Sequence, residues 1–204
     1  MTRSLYGTLG LLAALLLSCS TFAETLPPAN QPSPKVGRVV EYDAQVATVG
    51  CKRWEVTDTD KDGSIVSQCG DNISYVSAEN GNVTKIVSKN GNVMLEFKPR
   101  LFSLSFPLEV GKTWQGRYSG YSAYNDAHWD ADTTCEVKPP EKVEVPAGKF
   151  DAYRIDCVDN WQSMGLNGQT HISSWYAPKV GVTVKVVSTE NPEWDYQVTS
   201  ISEK

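Results

Sequence analysis

The sequence has little of what most enzymes and nucleic-acid binders are built around. Only two histidines, His128 and His171, occur in 204 residues, so a catalytic triad has few bases to draw on. There is no H-E-x-x-H, no G-x-S-x-G and no C-x-x-C spacing. Gly111-Lys112-Thr113 mimics the end of a phosphate loop, but Phe106 stands where the first glycine of that loop should be. Basic residues never form a run of five, and 19 Lys+Arg against 24 Asp+Glu give a net charge of −5. Such a mild acidic balance argues against nucleic acid or an anionic membrane surface as the main partner. No window shows a sustained helical period. The apolar run Leu9–Leu17 is nine residues, too short to span a bilayer.

That short run, preceded by Arg3 and followed by small residues, has the form of an export signal. Thr21-Phe22-Ala23 reads as an ordinary signal-peptidase site, which makes residues 1–23 a signal peptide. Leu16-Leu17-Ser18-Cys19 reads as a bacterial lipobox, which ends the signal at residue 18 and puts a lipid on Cys19. Residues 24–35 hold four prolines in twelve residues and read as an extended linker, leaving residues 36–204 as one β-domain. Either cleavage exports the protein, to the periplasm or to a lipid-anchored place on the outer membrane. In a bacterial envelope the sequons Asn72-Ile-Ser74 and Asn82-Val-Thr84 carry no glycan.

Setting Cys19 aside, Cys51, Cys69, Cys135 and Cys157 remain, an even number suited to an oxidising compartment. Three pairings are open. The favoured one is Cys51–Cys69 with Cys135–Cys157, because each midpoint, Asp60 and Pro146, lies in a turn signal. Val145-Pro146-Ala147-Gly148 has the chemistry of a tight turn. After it Tyr153, Ile155 and Cys157 alternate with Arg154 and Asp156, the period of a half-buried strand. A hairpin folded there sets the two sulfurs roughly opposite. Each loop of about twenty residues would stabilise the fold by roughly 3 kcal/mol through the unfolded chain.

From Val36 the chain reads as strands throughout. VGRVVEYDAQVATV and CKRWEV are followed by a turn at Asp58–Gly63 and a short return strand. Asn80-Gly81 and Asn90-Gly91 are strong hairpin signals ten residues apart, predicting a meander. Leu101, Ser103 and Ser105 alternate against Phe102, Leu104 and Phe106, so one face of that stretch is apolar. Gly165–Gly168 reads as a turn, and QTHISSWYA, VTVKVVSTE and WDYQVTSIS as closing strands. The class is all-β and antiparallel, either a sandwich or a strongly curved, partly closed barrel.

Trp114-Gln-Gly116, Val145-Pro-Ala-Gly-Lys-Phe150 and Trp175-Tyr-Ala-Pro-Lys-Val-Gly181 occur in the order of a known pattern. On these motifs the C-terminal half, about Pro107 to Ile201, resembles the TapB-like group of bacterial secreted proteins, a domain of unknown function. The resemblance implies an envelope β-domain and supplies no chemistry. Physically the motifs are scaffold, with Pro and Gly shaping turns while Trp114, Phe150 and Trp175 bury large rings.

Four groups merit a chemical reading. Asp126, His128, Asp130 and Asp132 share one strand face opposite Ala127, Trp129 and Ala131, and that face reads as solvated rather than metal-binding. Asp58, Asp60 and Asp62 with Gly63 match the start of a calcium loop, but the twelfth position is Cys69 instead of a bidentate Glu, so any site there is weak. Tyr118, Tyr121, Tyr124 and Trp129 alternate faces, which leaves some rings exposed. Trp175-Tyr176 reads as core before ligand platform, and His171 as structural. No cofactor and no catalytic residue is indicated. The expected function is a non-enzymatic accessory or interaction module for an unknown envelope protein. The alternative is a carrier enclosing an apolar or lipid ligand, lined by residues such as Phe102, Leu104 and Phe106, and a hydrolase with an unrecognised site comes third.

Overall fold

The computed structural model describes residues 26–46 and 50–203. Thirteen antiparallel strands account for the architecture. The first six are β1 (Arg38–Val46), β2 (Cys51–Thr59), β3 (Ile65–Cys69), β4 (Asn72–Val76), β5 (Val83–Ser88) and β6 (Val93–Lys98). The longer ones follow: β7 (Thr113–Ser122), β8 (Ala127–Val137), β9 (Glu141–Val145), β10 (Gly148–Ser163) and β11 (Leu166–Ala177). β12 (Val182–Ser188) and β13 (Tyr196–Glu203) end the chain. Among the described residues the helical content is one 3-10 turn, Pro192–Trp194.

Strands β1 to β8 pair in sequence, then β10, β11, β12 and β13, and β13 returns to β1. Twelve strands thus close into a barrel, with β9 added beside β10. Closure removes the exposed edges that an open sheet of this size would carry. Of the two architectures the sequence allowed, the barrel is the one formed, and the ring is complete.

Register separates the two faces of the wall. Trp114, Cys135, Cys157 and Ile172 form one cross-strand row, Gly116, Thr133, Asp159 and Thr170 the next, and Tyr118, Ala131, Trp161 and Gly168 a third. These rows face inward. Between them run Arg117, Asp132, Asn160 and Gln169, then Ser119, Asp130, Gln162 and Asn167, a polar outer face. The alternation in the sequence is therefore the in/out period of the barrel wall.

A closed ring of twelve strands encloses more space than an eight-stranded one, which wall side chains just fill. Here the chain fills it with itself. Residues 99–112, between β6 and β7, run against the inner face instead of forming the strand that their alternation predicts. Phe102 lies over Gly116, its carbonyl accepts from Trp114 Nε1 at 2.8 Å, and Phe106 packs edge-on to Tyr176 with ring centroids 5.3 Å apart. Leu108 is fully buried among Ala29, Val137, Tyr153 and Ile155. With β7 on the edge of β6, this segment pairs only at single points, Leu101 with the Val83 carbonyl and Leu108 with Ala29. Its apolar residues are buried as a plug.

Within the stretch expected to be an extended linker, residues 24–35, the described part from Leu26 makes tertiary contacts. Ala29 exchanges backbone hydrogen bonds with Leu108 at 3.0 and 2.8 Å, and the Tyr153 hydroxyl donates to the Leu26 and Pro27 carbonyls at 2.9 and 3.0 Å. Gln31 Nε2 donates to the Ala78 carbonyl at 2.8 Å. The extended backbone that the prolines favour is retained, and Ala29 forms an antiparallel bridge to Leu108 beside the buried plug. The stretch lies across the barrel end that holds the β4–β5 and β11–β12 turns.

Strands β8 and β9 continue in one direction along β10, interrupted by Lys138-Pro139-Pro140, and turn at Pro146-Ala147. The hairpin tip packs Val143, Val145 and Ala152 against Val40, Val184 and Val198, and the Ala147 amide donates to the Val198 carbonyl at 3.1 Å. Within this hairpin Cys135 and Cys157 are register partners and are bonded; Cys51 and Cys69 are bonded as well.

Candidate functional site

Two surface features have the makings of a site, one at each end of the barrel. The first surrounds the β7–β8 and β10–β11 turns. Tyr124, Met164 and Leu166 are 80, 82 and 68% exposed, the largest exposures of big apolar side chains among the described residues. The two turns are tied together by the Ser163 hydroxyl, which donates to the His128 carbonyl at 2.6 Å. Beside them is an open concavity of about 690 Å³ lined by Ser119, His128, Asp130, Gln162, Met164 and Leu166. Asp126 and Met164 both hold positive φ, at 50° and 48°, which lets two side chains project from tight turns. Large apolar groups rimmed by Asp126, Asp130 and Asn167 form a contact surface with an acidic border.

The second feature is a smaller cleft of about 270 Å³ at the plugged end. The plug segment supplies Arg100, Phe102, Leu104 and Phe106, β7 supplies Trp114, and the β4–β5 loop supplies Asn80. These include the residues named for an apolar cavity, but they form a shallow cleft on the plug rather than the deep lumen a carrier requires. The fixing of the plug depends on Asn82, which is 1% exposed. Its Nδ2 donates to the Leu104 carbonyl at 2.8 Å, and its Oδ1 accepts from the Leu104 amide at 2.8 Å and the Ser103 hydroxyl at 3.0 Å. Sequence reading saw Asn82 only as part of a sequon and a turn. A buried amide holding a distant loop leaves no local pattern.

The barrel interior contains one buried carboxylate, Asp159, which is 9% exposed. It accepts from the Tyr118 hydroxyl at 2.6 Å and from the Thr133 hydroxyl. Both carboxylate oxygens are thus satisfied, as a buried charge requires. Its partner Tyr118 belongs to the apolar cluster that also holds Phe97, Leu101, Trp129 and Trp161.

The other sequence candidates are dispersed. His128 lies on the outer face, stacked on Tyr121 at 4.6 Å between centroids, while Asp130 accepts from the Ser119 hydroxyl at 2.5 Å and Asp132 pairs with Arg117 at 3.1 Å. His171 Nδ1 lies 2.7 Å from Glu190 Oε1, and the His171 amide donates to Glu190 Oε2 at 2.7 Å, which holds the Glu190 carboxyl below its usual range. Among the described residues neither imidazole ring is hydrogen-bonded to a hydroxyl or thiol. Tyr118 is buried, Tyr121 half-buried and Tyr124 exposed, while Trp129 points inward. Trp175 is half-buried against the Val143–Ala152 cluster, flanked by Lys185 and Arg154 with Nε1 donating to Glu141 at 2.5 Å, and Tyr176 is core. Lys112, which looked like a phosphate-loop lysine, donates to the Ser105 and Pro107 carbonyls at 2.6 and 2.9 Å. Cys19 lies outside the described residues.

The residues named for a weak calcium site, Asp58, Asp60 and Asp62, are not gathered into one ligand group among the described residues. Asp60 Oδ1 accepts from the Asp62 and Ser64 amides at 3.0 and 2.9 Å, and Asp58 Oδ1 accepts from the Thr59 amide at 2.8 Å. The carboxylates shape the turn instead of converging, and no group of three acidic, His or Cys ligands occurs among the described residues. Adding calcium or a chelator is therefore expected to leave the melting temperature unchanged in a thermal scan; a calcium-dependent rise would restore the site.

Five tyrosines are shifted upward, and burial is the first cause in each. Tyr42, Tyr118, Tyr153 and Tyr196 all move above the ordinary 10.0, and Tyr176 is pushed up to about 12. Asp159 adds to the effect at Tyr118, and Glu109 at Tyr153. The unfolded chain releases these protons near pH 10 and the folded one holds them. Their contribution is complete below that pH and is lost as pH rises toward the folded values. Alkaline unfolding followed by circular dichroism should coincide with a cooperative step in tyrosinate absorbance. A smooth titration complete near pH 10, with the fold intact, would contradict the burial of these rings.

These features define a class: a closed antiparallel barrel, stoppered by its own chain, with an apolar contact surface at one end. The family model that matches this sequence is DUF3108-like and covers residues 125–201, from the β7–β8 turn to β13. No curated protein matches the sequence. Solved structures of similar fold include a candidate exported protein of Bacteroides fragilis with a YmcC-like fold, at 15% identity and TM-score 0.52 over 87% of this chain and 100% of that one. Another is a candidate lipoprotein of Parabacteroides distasonis, at 13% identity and TM-score 0.53 over the same shares, 87 and 100%. At such identities the likeness establishes the fold alone.

Proposed function

We propose that this protein is an exported, non-enzymatic module of the bacterial envelope that holds a protein partner at its Tyr124–Met164–Leu166 end. The observation that carries this reading is the pairing of a self-filled barrel with an exposed apolar surface opposite the plug. A carrier would keep its interior free, and a hydrolase would bring a base and a nucleophile together. Export is supported by the signal-like residues 1–23, by two disulfides, which persist in oxidising compartments, and by the names of the similar structures. A lipid on Cys19 would attach seven residues before Leu26, which is docked beside the plug.

The test is a photo-crosslinking residue placed in cells at Met164, with one at outer-face Asn160 as comparison. Adducts at Met164 that are absent at Asn160, and lost on Leu166→Asp, are the expected result. Equal adducts at both positions, or none at Met164, would refute the contact surface. Fractionation of Cys19→Ala reports separately on anchoring: release from the membrane fraction means a lipid, and no change means free secretion.

A further inference from the structure

Arg100 makes no ion pair in a mixed cleft, where Phe102, Phe106 and Trp114 stand beside Glu79, Asn80, Ser105 and Gln115. Its Nε is buried without a hydrogen-bond partner, and its guanidinium lies 4.5 Å from the Phe102 ring centroid. Every other described arginine meets a carboxylate: Arg38 with Glu203, Arg53 with Glu41, Arg117 with Asp132 and Arg154 with Asp156. The lone carboxylate near Arg100, Glu79, is exposed on the rim and makes no ion pair with it within 4.0 Å. A half-buried guanidinium left so is costly, and it is the donor type that best fits a carboxylate through two parallel hydrogen bonds. Around it Phe102, Phe106 and Trp114 supply ring surface, while Asn80 and Gln115 supply amides at the edge.

We infer that this cleft is a binding site for a small monocarboxylate bearing an aromatic or short apolar group. The carboxylate would meet Arg100, and the apolar part would lie on Phe106 and Trp114. A volume of about 270 Å³ admits a ligand of roughly ten non-hydrogen atoms, below the usual drug-sized range. One charge-assisted pair and one buried ring of that size correspond to a Kd of about 0.1–1 mM. The site is built by the plug and lies at the opposite end from the proposed partner surface, so the two readings stand or fall separately.

Phenylacetate is a suitable probe, compared with neutral phenylacetamide and with acetate. In titrations followed by nuclear magnetic resonance, phenylacetate should bind saturably and shift the Arg100 Nε–H signal of the unmodified protein. Phenylacetamide and acetate should each bind at least about tenfold more weakly. Arg100→Gln should abolish the difference between phenylacetate and its amide, while Met164→Ser leaves it unchanged. Equal binding of acid and amide would mean an apolar crevice only, and equal binding of acetate would mean a surface anion contact only. Either result, or no binding at all, overturns the assignment. The signal of Arg100 itself decides the matter even if the Gln variant does not fold.

Discussion

Replacing Gly120 by alanine is expected to lower the melting temperature by about 6–12 °C, from a loss of about 3 kcal/mol. Gly120 on β7 is the register partner of Trp129 on β8. The indole lies across the glycine so closely that an added Cβ would sit 2.1 Å from Trp129 Cε2 and 2.2 Å from Cζ2. The ring has no easy retreat, because its far side meets Phe97 edge-on at 6.2 Å between centroids. Overpacking of this kind forces backbone or rotamer shifts. The same device recurs at Gly168, the partner of Trp161, where a Cβ would sit 2.4 Å from Trp161 Cζ2, and at Gly116, 2.3 Å from Phe102 Cδ1. Chemical melts of the single variants give the stability change directly. The double variant Gly120→Ala with Trp129→Leu separates the causes: partial recovery of the melting temperature fits a steric clash. A Gly120→Ala protein as stable as the parent would show that the ring does not lie there.

These glycines show which part of the fold the sequence could and could not declare. Alternation along Tyr153, Ile155 and Cys157 gave both the strand and its buried face, because a wall with one wet and one dry side imposes a period of two. Turn chemistry at Pro146 set the hairpin that brings Cys135 opposite Cys157. Gly168 was assigned to a turn, yet it lies inside β11, since a glycine that accommodates an indole across a strand has the same composition as one that bends the chain. Residues 101–106 alternate as a strand would, but alternation only states that one side is dry. Whether a ladder or a barrel lumen provides the dry side depends on β7 capturing β6, a contact between segments about twenty residues apart. The docked prolines of residues 26–35 were unreadable for a related reason. Their composition describes the free chain, and their partners, Leu108 and Tyr153, are remote in sequence.

The candidate sites divide in the same way. Tyr124 was among rings expected to be exposed, and alternation was enough for that. Its grouping with Met164 and Leu166 required knowing that the β7–β8 and β10–β11 turns share one end of the barrel. The Phe102, Leu104 and Phe106 face was visible as an apolar stripe, whereas Arg100 looked like an ordinary surface cation. What singles it out is the missing counter-charge, and a missing neighbour is a property of the fold alone.

The clamp at Asn82 leads to the second large effect. Asn82→Ala is expected to cost about 3–4 kcal/mol, because it strands the Leu104 amide and carbonyl together inside the barrel mouth. Asn82→Asp tests the direction of the bonds. The carboxylate can still accept from the Leu104 amide and the Ser103 hydroxyl, but it loses the donors that reach the Leu104 carbonyl and the Asn80 side chain. A like-shaped acceptor would then face two acceptors in a buried place, so the aspartate variant should be at least as destabilised as alanine near neutral pH. Its stability should recover as pH falls and the carboxyl is protonated, since the protonated acid again offers one donor. Amide exchange gives the readout specific to the plug: protection of Leu104 and Leu108 should fall in both variants, more than at Ile155 in the wall. Uniform loss across plug and wall would mean that the segment and the barrel unfold as one unit. A plug that opens first would also expose the aromatic floor beneath it, and with it the Arg100 cleft would disappear.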